Sequence, residues 1–209
     1  RMPQQLVVKF LRHTLRALCA LHDANIVHLD VKPANVLYRH GVFKLGDLGL
    51  ANRADQVAGD VEEGDARYLP MELLQGHTAH LPASDIFSLG ASIYELARGV
   101  PLASRGPEWR ALRETGIEPH MLPHLSTPLV ELINSMVARE ASARPSAGEL
   151  LRSPLLATRM EAMLREERKR SQLYLAQITH LRRVLATVAQ HANVPLSALT
   201  DAGGARDGQ

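Results

Sequence analysis

The sequence predicts a mainly helical domain with one short β-hairpin and a helical C-terminal extension. Three observations carry this prediction. Apolar residues recur every three or four positions over residues 4–22, which is the pattern of an amphipathic helix. The run Ile86–Ala97 is apolar nearly all round, as in a helix buried on every side. Strand-like patterns are confined to two short segments, 35–38 and 42–45.

The elements follow in order along the chain. The helix over 4–22 has one apolar face, formed by Val7, Phe10, Leu11, Thr14, Leu15 and Leu18. The two strands are joined by Arg39-His40-Gly41, a connection of hairpin length that contains a glycine. From Asp47 to Pro70 the periodicity disappears, and a loop of this length inside a compact domain is typical of a functional segment. Asp85 then opens the apolar helix.

The C-terminal part differs in kind. We predict a first domain over 1–156, a helical extension over 157–194 and a disordered tail over 195–209. The extension carries a heptad pattern that Glu167 and Ser171 interrupt. Its seam consists of Leu164, Ile178, Leu181, Leu185 and Val188. Residues 157–192 are therefore expected either to form a coiled coil that self-associates or to pack back on the domain.

Composition excludes several classes of protein. Lys and Arg number 24 against 22 Asp and Glu, too balanced for a general nucleic-acid binder or a polybasic membrane binder. One cysteine excludes an internal disulfide framework. No run reaches the roughly 18 apolar residues of a membrane span. We expect neither nucleic acid nor membrane as a partner.

The chemistry lies in His28-Leu29-Asp30-Val31-Lys32-Pro33-Ala34-Asn35 and, twelve residues later, Asp47-Leu48-Gly49. A carboxylate, an ammonium and a carboxamide share one loop, and a second carboxylate follows the hairpin. Phosphoryl transfer needs this set. A carboxylate accepts the proton of the attacking hydroxyl, a lysine neutralises phosphate charge, and hard oxygen ligands hold Mg²⁺. The hairpin should bring Asn35 and Asp47 together.

These two motifs resemble the catalytic loop and the metal-binding motif of eukaryotic protein kinases, over residues 4 to about 155. The resemblance implies the C-terminal lobe of the protein-kinase fold, with ATP and Mg²⁺ as cofactors. It implies that Asp30 is the catalytic base, that Lys32 contacts the γ-phosphate, and that Asn35 and Asp47 bind Mg²⁺.

The resemblance also implies roles for three structural residues. Pro70-Met71-Glu72 stands where that family has Ala-Pro-Glu, and Glu72 would form a bidentate pair with Arg144. Asp85 would hold the catalytic loop through backbone N–H groups.

Within the family, four segments resemble the Wee/Myt mitotic-inhibitory kinases, with plant and algal Wee-type sequences looking nearest. They are His28–Asp30, Lys44–Gly49, Glu62–Tyr68 and Asp85–Gly90. This resemblance implies transfer of the ATP γ-phosphoryl group to a tyrosine of a cyclin-dependent kinase, which inhibits entry into mitosis. It also implies a nuclear location, with the cytoplasm as an additional one. Lys32 is the residue of serine/threonine kinases, so a serine/threonine kinase of other specificity stays open, as does a non-catalytic interaction module.

Two further expectations concern activity. The sequence contains no Gly-rich loop, no strand lysine and no helix glutamate to pair with it, so we expect residues 1–209 alone to be inactive. Leu29 replaces the arginine that grips an activating phosphate in many kinases, and Tyr68 is the only phosphorylatable residue over Asp47–Pro70. Ordering should instead come from acidic side chains such as Glu63 and Asp65, paired with Arg53 or Arg67.

Overall fold

The computed structural model describes residues 1–55 and 64–192. The described residues divide into two compact units, with the boundary between Ala157 and Thr158. Over the described residues the helices are α1 Gln4–Asp23, α2 Met71–Leu74, α3 Leu81–Arg98, α4 Pro107–Glu114, α5 Thr127–Met136, α6 Ala147–Leu151 and α7 Arg159–Ala192. The strands are β1 Ile26–Val27, β2 Val36–Arg39, β3 Val42–Leu45 and β4 Asn52–Arg53. The mainly helical fold with a short hairpin and a helical C-terminal extension is confirmed.

Helix α1 buries the face that the sequence indicates. All six residues predicted for that face are buried, and they pack with α3, α5 and α6 into one core. Transfer of side chains of this size from water contributes about 1.5–3 kcal/mol each, so the periodic apolar face is enough to fix this helix.

Strands β2 and β3 form an antiparallel hairpin in which Val36 pairs with Leu45 and Arg39 with Val42. His40 and Gly41 both have positive φ, 49° and 78°, which suits a two-residue turn between twisted strands. The predicted strand 35–38 is wrong by one residue, because Asn35 ends a 3₁₀ turn that begins at Pro33. The Asn35 side chain therefore does not follow the alternating inward and outward pattern of the strand.

Strand β4 corrects the expectation of an unstructured segment from Asp47 to Pro70. Its two residues pair antiparallel with β1, with Ile26 opposite Arg53 and Val27 opposite Asn52. Part of the predicted loop is therefore tied back to the start of the catalytic loop.

Helix α3 is buried over most of its length, as the apolar run predicts. Its polar residues find partners inside the fold; the Ser92 hydroxyl, for example, donates to the Ser88 carbonyl oxygen at 2.7 Å. Gly90 allows α5 to approach closely, since a Cβ there would lie 2.7 Å from Val137 Cγ1. The helix therefore lies in the core of the first unit.

The second unit contains α7, a helix of 34 residues. All five apolar seam residues of the predicted heptad pattern are exposed. Within residues 1–55 and 64–192, no helix is long and apolar enough to cross a membrane. The predicted disordered tail lies outside the described residues.

Candidate active site

The loop between β1 and β2 places a carboxylate, an ammonium and a carboxamide in contact. Asp30 is buried, and its Oδ2 accepts a hydrogen bond from Asn35 Nδ2 at 2.8 Å. Lys32 Nζ lies 2.7 Å from the same oxygen. Asn35 Nδ2 also donates to the Asp30 carbonyl oxygen at 2.8 Å. Three of the four predicted site residues therefore form one cluster.

Asp85 holds this loop from the first turns of α3. Its carboxylate is buried and accepts hydrogen bonds from the backbone N–H groups of His28 at 2.9 Å and Leu29 at 2.8 Å. Leu29 has a φ of 64°, a left-handed conformation that a leucine adopts only at a cost. His22 Nε2 adds a third contact to Asp85, at 2.8 Å. The expectation that Asp85 holds the loop through backbone N–H groups is confirmed.

The His28 ring couples the loop to the end of β3. Its Nδ1 accepts from the Asp30 backbone N–H at 3.3 Å, and its Nε2 donates to the Gly46 carbonyl oxygen at 3.0 Å. A backbone N–H can only donate and a carbonyl oxygen can only accept, so the two partners fix which ring nitrogen carries the proton. One side chain thereby positions both Asp30 and the residue preceding Asp47.

Asn35 and Asp47 stand at the two open ends of the hairpin. The Gly46 N–H donates to the Asn35 carbonyl oxygen at 2.8 Å, which keeps these ends together. Both donor contacts of the Asn35 carboxamide go to Asp30, which leaves its Oδ1 able to face a cation. Asp47 is exposed, with φ 58°, and its Oδ1 accepts the Gly49 N–H at 3.3 Å.

These two oxygen donors fit Mg²⁺. Magnesium ordinarily takes one or two protein oxygens and completes its octahedron with water and substrate phosphates. Within the described ranges, no group of three His, Cys, Asp or Glu side chains forms a full cage for a metal ion. A shared protein–phosphate site matches the donor set, whereas a structural metal site does not.

An apolar surface that sequence reasoning missed adjoins these ligands. Leu37 is 65% exposed, and its Cδ1 lies 3.9 Å from where a Cβ on Gly46 would stand. Leu48, directly after Asp47, is also exposed. The strand alternation could have indicated Leu37, because Val36 turns inward and Leu37 outward.

Gly64 and Asp65 close over the catalytic loop from the other side. A Cβ on Gly64 would stand 2.6 Å from the Leu29 carbonyl oxygen and 2.9 Å from Asp30 Oδ1, so only glycine fits. The Asp65 N–H donates to Asp30 Oδ1 at 3.4 Å. Sequence reasoning missed the close approach of Gly64, which only the tertiary structure reveals.

Asp65 is ordered by Arg67. Arg67 Nη2 lies 2.5 Å from Asp65 Oδ2, and this hydrogen-bonded guanidinium lowers the pKa of the Asp65 carboxyl. The predicted Asp65–Arg67 pair is confirmed. Arg53 instead pairs with Asp55, through Nη2 and Oδ2 at 3.0 Å. Glu63 lies outside the described residues.

A comparison with protein families identifies this arrangement. The model described as protein kinase domain matches residues 1–156. The chain belongs to the protein kinase family.

Curated relatives refine the assignment. A Wee1-like protein kinase of Oryza sativa is 44% identical over 148 residues, which is 71% of this chain and 28% of that protein. One of Arabidopsis thaliana is 42% identical over 149 residues, 71% of this chain and 29% of the relative. A Drosophila melanogaster membrane-associated tyrosine- and threonine-specific cdc2-inhibitory kinase is 39% identical over 159 residues, 75% and 30% respectively. The resemblance to Wee-type kinases is confirmed, and the chain spans under a third of these relatives' length.

In this kinase lobe the segment after Asp65 is held by a buried cation that sequence reasoning missed. Arg113, on α4, is only 2% exposed. Its Nη2 donates to the carbonyl oxygens of Ala66 at 2.9 Å and Leu69 at 2.7 Å, and its guanidinium lies 3.9 Å from the Trp109 ring centroid. Burial lowers the pKa of Arg113 to about 10, so the side chain remains charged at neutral pH. No sequence pattern distinguishes it from other arginines.

Tyr68 belongs to the same buried segment. Its hydroxyl donates to the Glu95 carboxylate, with oxygen–oxygen distances of 3.0 and 2.9 Å. Burial, and next the Glu95 contact, raise the pKa of Tyr68. At 5% exposure the ring is enclosed, so a phosphate could reach it only if the segment opened.

Glu72 and Arg144 form the predicted bidentate pair. Arg144 Nη1 lies 2.5 Å from Glu72 Oε1, and Nη2 lies 3.1 Å from Oε2. Arg144 also donates to the carbonyl oxygens of Ala83, Ala138 and Arg139. The pair is confirmed and ties α2 to the start of α3 and the end of α5.

Proposed function

We propose that this chain is the catalytic C-terminal lobe of a Wee-type kinase that transfers the ATP γ-phosphoryl group to a tyrosine of a cyclin-dependent kinase. The observation that carries the proposal is the cluster of Asp30, Lys32 and Asn35, with Asp47 across the hairpin. The names of the relatives support the target, since one of them is called cdc2-inhibitory. Inhibition of entry into mitosis is the consequence.

Asp30 is the proposed catalytic base. Among the residues that the structure describes, its Oδ1 accepts a hydrogen bond only from the Asp65 N–H, at 3.4 Å, so this carboxylate oxygen can accept the proton of an incoming hydroxyl. Its Oδ2 is fixed by Asn35 and Lys32, which restrains the carboxylate against rotation. The carboxylate is therefore held in place before the substrate arrives, which lowers the entropy that must be lost to reach the transition state.

Lys32 is proposed to contact the γ-phosphate. Its side chain is 23% exposed, and its ammonium lies next to the Asp30 carboxylate, where charge moves during transfer. Asn35 Oδ1 and the Asp47 carboxylate would hold Mg²⁺, which neutralises charge on the phosphates when bound. Leu37 and Leu48 provide one apolar wall for the nucleotide. The remaining grip on ATP is proposed to come from an N-terminal lobe, so residues 1–209 alone should bind ATP weakly.

A second candidate function is a kinase that phosphorylates serine or threonine instead of tyrosine. Lys32 is typical of serine/threonine kinases, and its ion pair with Asp30 is the observation that favours a serine or threonine acceptor. Tyrosine is proposed on the Wee-type likeness, because members of that type share the lysine.

Phosphoamino-acid analysis separates the two acceptors. The full kinase, meaning this chain together with its N-terminal lobe, is incubated with a catalytically inactive cyclin-dependent kinase. The proposal expects phosphotyrosine in a Mg²⁺-dependent reaction. A substrate variant with phenylalanine at the modified tyrosine is the control and should receive no phosphate. Phosphoserine or phosphothreonine without phosphotyrosine would contradict the proposal and would favour the serine/threonine kinase.

Self-association through residues 157–192 and a nuclear location are also proposed. The exposed seam of α7 supports the first, and Tyr174 at a heptad position between Glu167 and Leu181 extends it. Light scattering on the chain and on its Leu181→Glu variant tests this proposal. A monomer in both cases would exclude it. Imaging of the full kinase with a fluorescent tag tests the location.

A further inference from the structure

The first unit contains a cavity of about 600 Å³ that the four predicted site residues do not line. Its walls come from the end of α1, from the first turns of α3 with the residues just before it, and from the segment that runs from Ala141 into α6. Cavities of this size accept small organic molecules. The α1–α6 cavity, as it is called below, has in its walls His22, His80, Pro82, Ile86, Pro145 and Glu149.

Much of the α1–α6 cavity is apolar, and the fold fixes its shape. Ala83 and Ile86 come from α3, and Ile86 is almost completely buried. Pro82 and Pro145 add two rings that lock the backbone φ angle at their positions. A preformed apolar surface binds a rigid apolar molecule at little cost in conformational entropy. An aromatic ring system is therefore the body of a ligand that suits this cavity.

Arg144 also lines the cavity, but its charge is used within the fold. Its Nη1 and Nη2 pair with the two carboxylate oxygens of Glu72. Its three nitrogens also donate to the backbone carbonyl oxygens of Ala83, Ala138 and Arg139. The Arg144 side chain is 1% exposed. An anionic ligand would have to compete with all of these acceptors for the guanidinium.

Glu149 is the one acidic residue in the walls of the cavity. Its Oε2 accepts the Ser146 N–H at 2.8 Å and the Ser146 hydroxyl at 2.7 Å. These hydrogen bonds lower the pKa of Glu149, so the carboxylate is charged at neutral pH. Arg152 attracts the same carboxylate but does not line the cavity. The charge complementarity of the cavity therefore favours a cationic group on the ligand.

His22 connects the cavity to the catalytic loop. Its Nε2 donates to Asp85 Oδ2 at 2.8 Å, because an ionised carboxylate can only accept, and Nδ1 of the neutral ring is then an acceptor. Asp85 Oδ2 also accepts the His28 N–H at 2.9 Å, and Asp85 Oδ1 accepts the Leu29 N–H at 2.8 Å. A ligand packed against His22 is thus two hydrogen bonds away from the backbone of the catalytic loop.

We propose that the α1–α6 cavity binds a small aromatic cation and that its occupancy restrains the catalytic loop through His22 and Asp85. The apolar walls take the aromatic body, and the Glu149 carboxylate takes the cationic donor group. The site is separate from the cluster around Asp30, so ligand and nucleotide would not exclude each other. This proposal does not rest on the choice of acceptor hydroxyl or of protein substrate.

Three probes with the same ring system test the binding on the 209-residue chain. They are 2-naphthamidine, which is a cation, 2-naphthamide, which is neutral, and 2-naphthoate, which is an anion. Ligand-observed NMR titration measures their affinities. Saturable binding of the amidine is expected with a dissociation constant on the order of 0.1–1 mM. The amide should bind about threefold to fivefold more weakly, and the naphthoate more weakly still. No saturable binding of the amidine, or equal affinities of amidine and naphthoate, would overturn the proposal.

Two pairs of variants locate the site. Glu149→Gln keeps an acceptor for the Ser146 N–H and should remove the preference for the amidine, whereas Glu131→Gln, an exposed change on α5, should keep it. Ser142→Trp places a bulky ring in the cavity wall and should abolish saturable binding.

The matched control for Ser142→Trp is Ala143→Trp, the next exposed residue of the same turn, which does not line the cavity and should keep the affinity within about twofold. Equal effects within either pair would overturn the proposal. Thermal unfolding verifies each variant, and Ala79→Trp, also in the cavity wall, replaces Ser142→Trp if that variant unfolds.

Hydrogen exchange tests the link to the catalytic loop. Saturating 2-naphthamidine should slow amide exchange of His28 and Leu29 about threefold, because both N–H groups are bound to Asp85. The same concentration should leave this exchange unchanged in Ser142→Trp. Unchanged exchange in the saturated, unaltered chain would contradict the proposed restraint of the catalytic loop.

Discussion

Replacing Asp85 with asparagine tests how the catalytic loop is held. The aspartate accepts the N–H groups of His28 and Leu29 with different oxygens, at 2.9 and 2.8 Å, and it is almost completely buried. Asparagine keeps the shape of the side chain but has one acceptor oxygen. Whichever way the amide turns, its NH₂ group faces a backbone N–H, and a buried donor is left without a partner.

The magnitude follows from these contacts. A hydrogen bond to a charged group contributes about 1.5–3 kcal/mol, and an unsatisfied buried donor costs about 1–3 kcal/mol. The left-handed Leu29 makes the loop prone to relax, because that conformation costs a further ~1–2 kcal/mol that Asp85 offsets. Since relaxation recovers part of the loss, we expect Asp85→Asn to lower the free energy of unfolding by about 2–4 kcal/mol.

Urea unfolding of the 209-residue chain measures this change. The single tryptophan, Trp109, reports through its fluorescence. The control is Asp55→Asn, which removes an exposed carboxylate of the surface ion pair with Arg53 and should change the urea midpoint little. A loss below about 1 kcal/mol in Asp85→Asn would refute the claim that this carboxylate holds the loop.

Three further changes test the surroundings of the site. Gly64→Ala should lower kcat of the full kinase at least tenfold, because the added Cβ would displace Asp30. Gly148→Ala is the control, since a Cβ there would make only ordinary contacts, and equal effects of the two changes would contradict the role of Gly64. Tyr68→Phe should stay active, as should kinase exhaustively treated with phosphatase, since ordering needs no phosphate; an activity loss that tracks a loop phosphosite would exclude this. Arg113→Met should raise KM for the protein substrate more than it lowers kcat, because the carbonyl oxygens of Ala66, Arg67 and Leu69 lose the guanidinium that donates to all three. A change confined to kcat would argue against a positioning role.

Regular patterns made much of the fold predictable. The 3.6-residue spacing in α1 and the apolar run in α3 each reflect how one helix is buried in the core. Such patterns can be recognised from the residues of that helix alone. Asp30, Lys32, Asn35 and Asp47 could be chosen because their chemistry is specific and their spacing short. The partners of Asp85, Glu72 and Arg144 required the family resemblance, since these contacts join residues far apart in the chain.

Other features had no local signal. Strand β4 has two residues, too few for any alternation, and forms only because β1 lies beside it. Gly64 matters because the backbone of the catalytic loop approaches it closely, and Arg113 matters because it binds backbone carbonyl oxygens. Neither kind of contact leaves a motif in the sequence. The start of β2 shifted by one residue because the 3₁₀ turn ending at Asn35 competes with strand geometry.

The central claim is that Asp30 acts on the attacking hydroxyl while Asp47 holds the metal. Its most direct test compares Asp30→Asn with Asp47→Asn in the full kinase, measuring kcat together with nucleotide affinity in Mg²⁺ by calorimetry. Asp30→Asn should lower kcat by about 10²–10⁴-fold and leave nucleotide affinity unchanged, whereas Asp47→Asn should weaken Mg²⁺-dependent nucleotide binding as well. An Asp30→Asn enzyme that keeps a tenth of the activity would contradict the account.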